Sequence, residues 1–401
     1  MKISIFTPVH DIQYLDELYQ SIKDQAFDEW VIVPNHGAII PDFSDPRIVQ
    51  YPFESDYVGA LKKFACSKAT GDILVELDAD DLLTPNAIEE IKKAFEDDKV
   101  GFVYSNGARF TNNFEKVERY GDGYGWQYRP FLYQGHELDE HVAWDSIPAA
   151  VSRIWYAPDH VRVWRKTCYV EAGGHPEDMR VLDDQDLLSR TFLITKFKKI
   201  DQCLYLYRIT GKNTWLKHNQ EIQNNVMRLY DKYILGLTEK WADDNKLAKI
   251  DLGSRLTCKP NYISVDIKDA DVNCDLQETW PFPDSSVGVV IANDIFEHLK
   301  DPIHTMKELQ RILAPDGYAF IQVPSTDGRG AFQDPTHKSF WNENSFLYYT
   351  NNQWAKYIDT PVRFQTLQLY TTEKNEQQVS WVVAHLINLK DCIRPPGIIN
   401  I

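Results

Sequence analysis

The sequence predicts an α/β protein made of two strand–helix units in tandem, and three observations predict it. Strand-like runs alternate with helix-like runs from the start of the chain to about residue 105, and the alternation resumes near residue 250. Between them lies a long stretch, 220–242, with helical apolar spacing. The chain has 401 residues, long for one compact core and ample for two.

The first alternation reads in order. Residues 3–8 read as a strand, 16–25 as a helix, 29–34 as a second strand and 47–51 as a third. Residues 58–69 are helical, and 72–77 are an apolar strand that runs into Leu77-Asp78-Ala79-Asp80-Asp81. Residues 85–97 are helical, with Pro85 in the first turn, where its missing N–H costs nothing. Residues 100–105 are a strand, and this order implies a largely parallel sheet. Residues 106–160, rich in Tyr, Gly and Trp, read as an irregular insertion beside a site. Strands return at 161–164 and 203–207. The second alternation places strands at 250–253, 262–266, 287–292 and 319–323, with a helix at 303–313.

Composition narrows the function. Apolar residues make up 43% and charged residues 25%, ordinary for a soluble globular protein. A formal charge of −16 argues against a broad, non-specific nucleic-acid footprint but leaves room for a local basic groove. Six scattered cysteines include no Cys-x-x-Cys pair, so reduced thiols and a cytoplasmic location are expected. The opening residues lack the charged segment and long apolar run of a signal peptide. No apolar run reaches the roughly 18 residues of a membrane span.

The acidic run carries the chemistry. A strand that delivers Asp78 and Asp80 at its carboxyl end puts them in the crevice where open α/β sheets bind ligands. Carboxylates packed together repel unless a cation neutralises them, and hard oxygen ligands suit Mn2+ or Mg2+. Such an ion stabilises a diphosphate leaving group. The alternative is a solvated acidic turn, with Asp81 or Thr84 capping the helix that follows. A second acidic run, Asp183-Asp184-Gln185-Asp186, opens a helical pattern after Gly173-Gly174-His175. An acid there is kept ionised by the helix dipole, and an adjacent acid raises one of the two pKa values, which suits a general base. The bland reading is helix capping by Asp183.

In combination these motifs are specific. The opening Ile3-Ser4-Ile5-Phe6-Thr7-Pro8-Val9-His10 and the stretch from Gly59-Ala60-Leu61 through Gly71-Asp72-Ile73-Leu74-Val75-Glu76 to Pro85 resemble the nucleotide-binding half of GT-A glycosyltransferases of the family 2 type. The resemblance spans about the first 220 residues. It implies a GT-A, Rossmann-like domain that moves a sugar from a nucleotide-diphosphate sugar, with UDP the first choice of nucleotide. Thr7 and Pro8 would meet the nucleotide, and Asn35 would stand near the usual base-reading acid. Lys62 and Lys63 fall near the family's basic residue, Lys63 being the one assigned to the donor. Asp78 would touch the ribose or a metal-bound water, and Asp80 the metal. The segment from Asp183 to Arg190 resembles the family's Glu-Asp-x-Asp-Leu-x-x-Arg, which makes Asp184 the expected base, Asp183 the fallback, and Arg190 an orienting or phosphate-binding residue. Where the family often has a metal-binding His, Tyr207-Arg208-Ile209 leads to Thr210; His218 is the substitute ligand and His160 a second candidate. Trp155, Tyr156 and Trp164 could stack on a sugar or pack in the core. His136 and His141 read as structural.

Ile250-Asp251-Leu252-Gly253-Ser254-Arg255, Asp266, Asn293-Asp294-Ile295-Phe296-Glu297-His298 and Ala314-Pro315-Asp316-Gly317 resemble a class I SAM-dependent methyltransferase, a second and smaller Rossmann-like fold. Arg255 replaces the second glycine of its cofactor loop. The short link from Gly253 to the next strand leaves the usual helix missing or reduced. His298 and His337 would line the old cleft. The expected organisation is a transferase domain at 1–222, a helical linker at 223–248 and a methyltransferase-like domain at 249–401. The leading expectation is a metal-dependent inverting glycosyltransferase acting on a glycan or on a hydroxymethylated DNA base. The rivals are a bifunctional enzyme that also binds SAM, and a non-catalytic carbohydrate- or partner-binding protein.

Overall fold

The computed structural model describes residues 1–120, 125–211, 213–255 and 257–390. They form two compact units, Met1–Ile234 and Leu235–Ile401. The division falls inside the helix Thr214–Asp244.

In the first unit the described strands are β1 (Ile3–Val9), β2 (Glu29–Pro34), β3 (Ile48–Gln50), β4 (Ile73–Glu76), β5 (Leu82–Leu83), β6 (Val100–Phe110), β7 (Tyr128–Tyr133), β8 (His136–His141), β9 (Arg162–Arg165) and β10 (Lys196–Arg208). They join in one sheet ordered β3-β2-β1-β4-β9-β6-β10-β5, with the β7–β8 hairpin attached to β6. β1 and β4 are buried on both faces, which is why they are mostly apolar without a strict alternation, their few polar groups Ser4, Thr7 and Glu76 being buried too. Ile3, Ile5, Ile73 and Val75 lie fully inside, each side chain contributing roughly 1.5–3 kcal/mol by leaving water. Helix Val58–Lys68 packs on β1 and β2.

Two expectations change here. The sheet is mixed: β1 pairs in parallel with β2 and β4, but β9 enters antiparallel between β4 and β6. A short buried strand carries no mark of its direction, so alternation alone could not show this. The insertion is also more ordered than composition suggested. β6 continues to Phe110, and Tyr133 and His136 close a two-residue hairpin turn with Gln134 at φ 50° and Gly135 at φ 88°. A turn with both central residues left-handed usually announces itself as Asn-Gly or Asp-Gly; Gln-Gly hid it.

The described strands of the second unit are β11 (Ala248–Leu252), β12 (Ile263–Asp266), β13 (Val272–Asn273), β14 (Val287–Asn293), β15 (Leu313–Pro324), β16 (Phe364–Thr371) and β17 (Trp381–Asn388), ordered β13-β12-β11-β14-β15-β17-β16. The first five run parallel, and β17 is antiparallel to both β15 and β16. Sequence reading missed this final antiparallel pair. Helix Pro302–Ile312 begins at Asp301, whose carboxylate accepts from the N–H groups of Ile303 and His304. No helix occupies the described residues between Gly253 and β12, as the short link implied. Cys66, Cys168, Cys203, Cys258 and Cys274 are free; Cys392 lies outside the described residues. Among the described residues no helix is long and apolar enough to cross a membrane.

Candidate active site

β4 ends at Glu76, a carboxylate with no exposed surface. An uncompensated charge there would cost several kcal/mol, so the sequence around it must supply partners. Helix Val58–Lys68 delivers the first: the buried Lys62 Nζ lies 2.5 Å from Glu76 Oε1 and 3.3 Å from Asp78 Oδ1. His160, just before β9, delivers the second, with Nε2 3.4 Å from Glu76 Oε1 and 3.8 Å from Asp78 Oδ2. His175 Nε2 stands 3.8 Å from the other Glu76 oxygen. Burial raises the Glu76 pKa, but Lys62, His160 and His175 outweigh it and hold the group well below the usual range. Burial lowers the Lys62 pKa, yet Asp78 and Glu76 keep it well above normal. Burial and Arg162 push His160 down; Asp159 and Glu76 reverse the balance and lift it to about 9. Burial drives His175 to about 3, so it is neutral. A relay continues from His160 Nδ1 to Asp159 Oδ1 at 3.3 Å and from Asp159 Oδ2 to His141 Nε2 at 3.1 Å. That gives His141 the structural role expected of it; His136 stacks on Phe114 at 5.0 Å.

Beyond Glu76 the chain turns outward through Asp78 and Asp80. Asp80 is pushed up to about 6, first by burial and then by the charge of Asp78. Asp81 points the other way. Its Oδ2 accepts from the Tyr205 hydroxyl and its Oδ1 from the Arg208 N–H, both at 2.7 Å. Arg208 in turn donates to the Asp80 carbonyl and to Glu17, each at 2.7 Å. Capping of the following helix by Asp81 is therefore corrected: its carboxylate clamps the acidic turn to β10. Thr84 does not cap it either, since its hydroxyl donates to Asn86 Oδ1 at 3.0 Å.

The helix Asp183–Ile194 starts after Leu182, which sits at φ 64°. Asp184 Oδ2 accepts from Arg162 at 2.5 Å, and its Oδ1 accepts from the Gln185 N–H at 2.8 Å. Burial raises the Asp184 pKa, but Arg162 and then Lys62 hold it below normal. Asp183 goes the opposite way, up to about 7, by burial and by the charge of Asp184. Asp183 Oδ2 is buried and has no hydrogen-bond partner. Gly59 makes the approach possible: a Cβ there would lie 2.2 Å from the Pro176 carbonyl oxygen and 3.2 Å from Asp183 Oδ2. The structure thus gathers Asp78, Asp183 and Asp184 around Lys62, with Arg162 closing the far side.

Other expected site residues stand in other surroundings. The buried Thr7 hydroxyl accepts from Trp30 Nε1 at 3.0 Å, and Pro8 beside it is half-buried. Asn35 Nδ2 donates to the Ser55 carbonyl at 2.9 Å, and its Oδ1 accepts from the His36 and Ser55 N–H groups. Lys63 pairs with the exposed Glu177 at 2.9 Å. Arg190 donates to Asp186 and to the carbonyls of Ala172 and Gly174, tying the glycine turn to the helix. His218 Nδ1 lies 3.3 Å from Glu221 on its own helix. Trp164 is fully buried against Phe102, and Tyr156 packs on Trp126 and Trp144. Two groups of described residues bring metal-ligand atoms within 4.8 Å of one another: Glu76–Asp78–His160, and Glu297–His298–His337. The first is already neutralised by Lys62 and a protonated His160, so it has the charge balance of an internal ion cluster. Glu76 and Arg162 escaped sequence reading, although a Glu inside the apolar run Ile73-Leu74-Val75-Glu76-Leu77 is itself a signal of a buried, compensated charge.

Residues 4–153 match the family described as Glycosyl transferase family 2, and residues 236–374 match the family described as Methyltransferase domain. The chain thus carries a glycosyltransferase family 2 match followed by a methyltransferase match, the order its motifs implied. Among solved structures, it is similar to TarS 1–349 of S. aureus, at 14% identity and a TM-score of 0.40, covering 65% of this chain and 76% of that one. The same TarS fragment in complex with UDP-GlcNAc gives 14% and 0.41, over 61% of this chain and 73% of that one. The mannosyltransferase PcManGT of Pyrobaculum calidifontis, in complex with GDP-Man and Mn2+, gives 15% and 0.38, over 62% of this chain and 65% of that one. No curated protein matches the chain.

Proposed function

We propose that the first unit transfers a sugar from a nucleotide-diphosphate sugar, with UDP the first choice, to an acceptor hydroxyl with inversion at the anomeric carbon and with the help of a divalent cation. The observation that carries this reading is the shared position of the two acidic groups. Asp78 lies 3.3 Å from Lys62, and the charge of Lys62 also acts on Asp183 and Asp184. Donor-side and acceptor-side carboxylates therefore face one compact polar centre.

The residues fit a cation on the donor side. Asp80 is lifted to about 6 by burial and by Asp78, the repulsion that a divalent ion relieves. Asp80 and Asp78 would hold Mn2+ or Mg2+, which when bound neutralises charge on the diphosphate leaving group. His218, paired with Glu221, gives no added support to this ligand set. Thr7, Pro8 and Asn35 form the wall at the carboxyl ends of β1 and β2, with Thr7 and Asn35 held rigid by their own hydrogen bonds. Lys62 fixes Asp78. Asp184 accepts the proton of the acceptor hydroxyl, and Arg162 keeps it ionised for that role. Its side chain is a quarter exposed, whereas Asp183 behind it is 6% exposed.

A glycan hydroxyl is the acceptor that the net charge of −16 favours, with a hydroxymethylated DNA base second. For the second unit we propose a retained scaffold rather than methyl transfer. Arg255 of the former glycine loop pairs with Asp269, and the helix that normally follows that loop is absent from the described residues. The match to methyltransferases favours the bifunctional reading, and calorimetric titration with SAM tests it: absence of binding at millimolar SAM would remove it. The primary test is a thermal-shift screen of nucleotide sugars with Mn2+, followed by hydrolysis and acceptor assays. Stabilisation and turnover with one donor are expected; neither binding nor hydrolysis of any nucleotide sugar would overturn the proposal and leave the non-catalytic binding protein.

A further inference from the structure

At the carboxyl end of β14 in the second unit, the short 3-10 turn Phe296–His298 carries Glu297 and His298. The segment after β15 returns with His337, and the N–H groups of Lys338 and Ser339 donate to the Glu297 carbonyl at 2.7 and 3.0 Å. These backbone bonds pin the two segments together and fix three side chains. Glu297 is 2% exposed, yet neither of its carboxylate oxygens has a hydrogen-bond partner. His337 Nε2 lies 3.8 Å and His298 Nε2 4.0 Å from the same oxygen, Glu297 Oε1. The two rings meet edge to face, with centroids 4.9 Å apart.

The hydrogen bonds behind the rings decide which nitrogen carries a proton. His337 Nδ1 is 2.9 Å from the Ala331 carbonyl oxygen, which can only accept, so Nδ1 is protonated. His298 Nδ1 is 3.1 Å from the Thr336 hydroxyl, and that hydroxyl gives its one proton to Asp334 Oδ1 at 2.7 Å. Toward His298 the hydroxyl therefore accepts, and Nδ1 is again the protonated atom. With the proton on Nδ1, a neutral imidazole at either position turns its Nε2 lone pair toward Glu297 Oε1, a buried oxygen without a hydrogen-bond partner. His337 Nε2 and His298 Nε2 thus face one carboxylate oxygen at 3.8 and 4.0 Å, and the ligand atoms of the three residues all lie within 4.8 Å of one another. A cation among these lone pairs relieves their repulsion, and the spacing is too wide for a direct hydrogen bond. A metal ion at about 2.0–2.2 Å from each ligand requires only a slight contraction. Carboxylate or carbonyl partners that set the tautomer of a ligating His are the usual outer support of such sites.

We propose that Glu297, His298 and His337 form a binding site for a divalent transition-metal ion of the Zn2+ class, with a coordination position left for water or substrate. Two imidazoles and one carboxylate are the donor set of open zinc sites and disfavour Mg2+. Asp294, whose Oδ1 accepts from Trp381 Nε1 at 3.0 Å, stands next along the same strand end. The site lies wholly within the second unit and does not depend on the donor cation proposed for the first.

The test uses the full-length chain, stripped of metal and carrying Asp80→Ala so that the first unit is silent. Zn2+ is titrated in competition with a chromophoric chelator. One tight equivalent is expected, reduced at least 100-fold by Glu297→Gln or His298→Ala, and about 10- to 100-fold by Thr336→Val, which removes the tautomer lock without touching a ligand. Because a variant could misfold, Co2+ is also added to the Asp80→Ala chain with all three ligands intact. Visible absorption of four- or five-coordinate Co2+ with nitrogen ligands is expected. Zn2+ binding that is absent, or unchanged in Glu297→Gln and His298→Ala, overturns the proposal, as does a Co2+ sample with no such absorption.

Discussion

The guanidinium of Arg162 donates to Oδ2 of Asp184 at 2.5 Å, and both groups are shielded within the first unit. The pair holds the acid below its normal pKa against burial, which raises it. A folded-state pKa held below normal contributes stability that is present above the unfolded value near 4 and is lost as pH falls through the folded one. Arg162→Gln leaves that carboxylate without its partner. We expect a loss of about 3–5 kcal/mol by chemical denaturation at pH 7. The acid limb of the transferase pH–rate profile should move upward in the same variant. An unchanged limb would remove Asp184 from the role of base.

Asp183 has the opposite sign. Its pKa is raised to about 7 by burial and by Asp184, so its contribution is full below about pH 4 and is lost as pH rises through about 7. Asp183→Asn should therefore gain stability over the parent between pH 4 and pH 8, at about 1.4 kcal/mol for each pH unit separating the two pKa values. Thermal midpoints of the two proteins across that range check it. A constant difference contradicts the assignment.

Adjacent lysines separate a buried ion pair from a surface one. Lys62→Met strands Glu76, which has no exposed surface, and should cost about 3–5 kcal/mol. Lys63→Ala removes only an exposed pair with Glu177 and should stay within about 0.5 kcal/mol. Denaturant midpoints of the two variants give the comparison. Donor binding measured on Lys63→Ala tests its expected contact with the nucleotide, with weaker binding supporting that contact.

Asp80→Ala and Asp184→Asn should each abolish sugar transfer with the far-ultraviolet dichroism unchanged. Asp80→Ala should also lose the Mn2+-dependent thermal stabilisation by donor, whereas Asp184→Asn should keep it. Near-normal turnover in either variant would sink the two-part site.

Much of this was legible from residue order. Residues 29–34 and 58–69 were placed within a residue of the observed elements because their apolar spacing matches what a buried strand and a packed helix require. The final strands β16 and β17 were missed because an antiparallel edge pair needs no crossover helix to announce it. The Glu297–His298–His337 group was only half visible, since its members lie about 40 residues apart and are joined by backbone bonds between two loops.

The sequence by itself determined the two-unit α/β plan, the acidic turn at Asp78 and Asp80, and the paired acids at Asp183 and Asp184. Those features are local, set by periodicity and by short runs of one residue type. Only the tertiary structure decided what each acid does. Asp81 clamps the turn to β10, Asp183 is lifted toward neutrality, Asp184 is held ionised, and Lys62 rather than Lys63 faces Asp78. The reason is physical: the charge state of a buried group depends on which distant cation the fold places within a few ångströms, and no single stretch of sequence carries that distance.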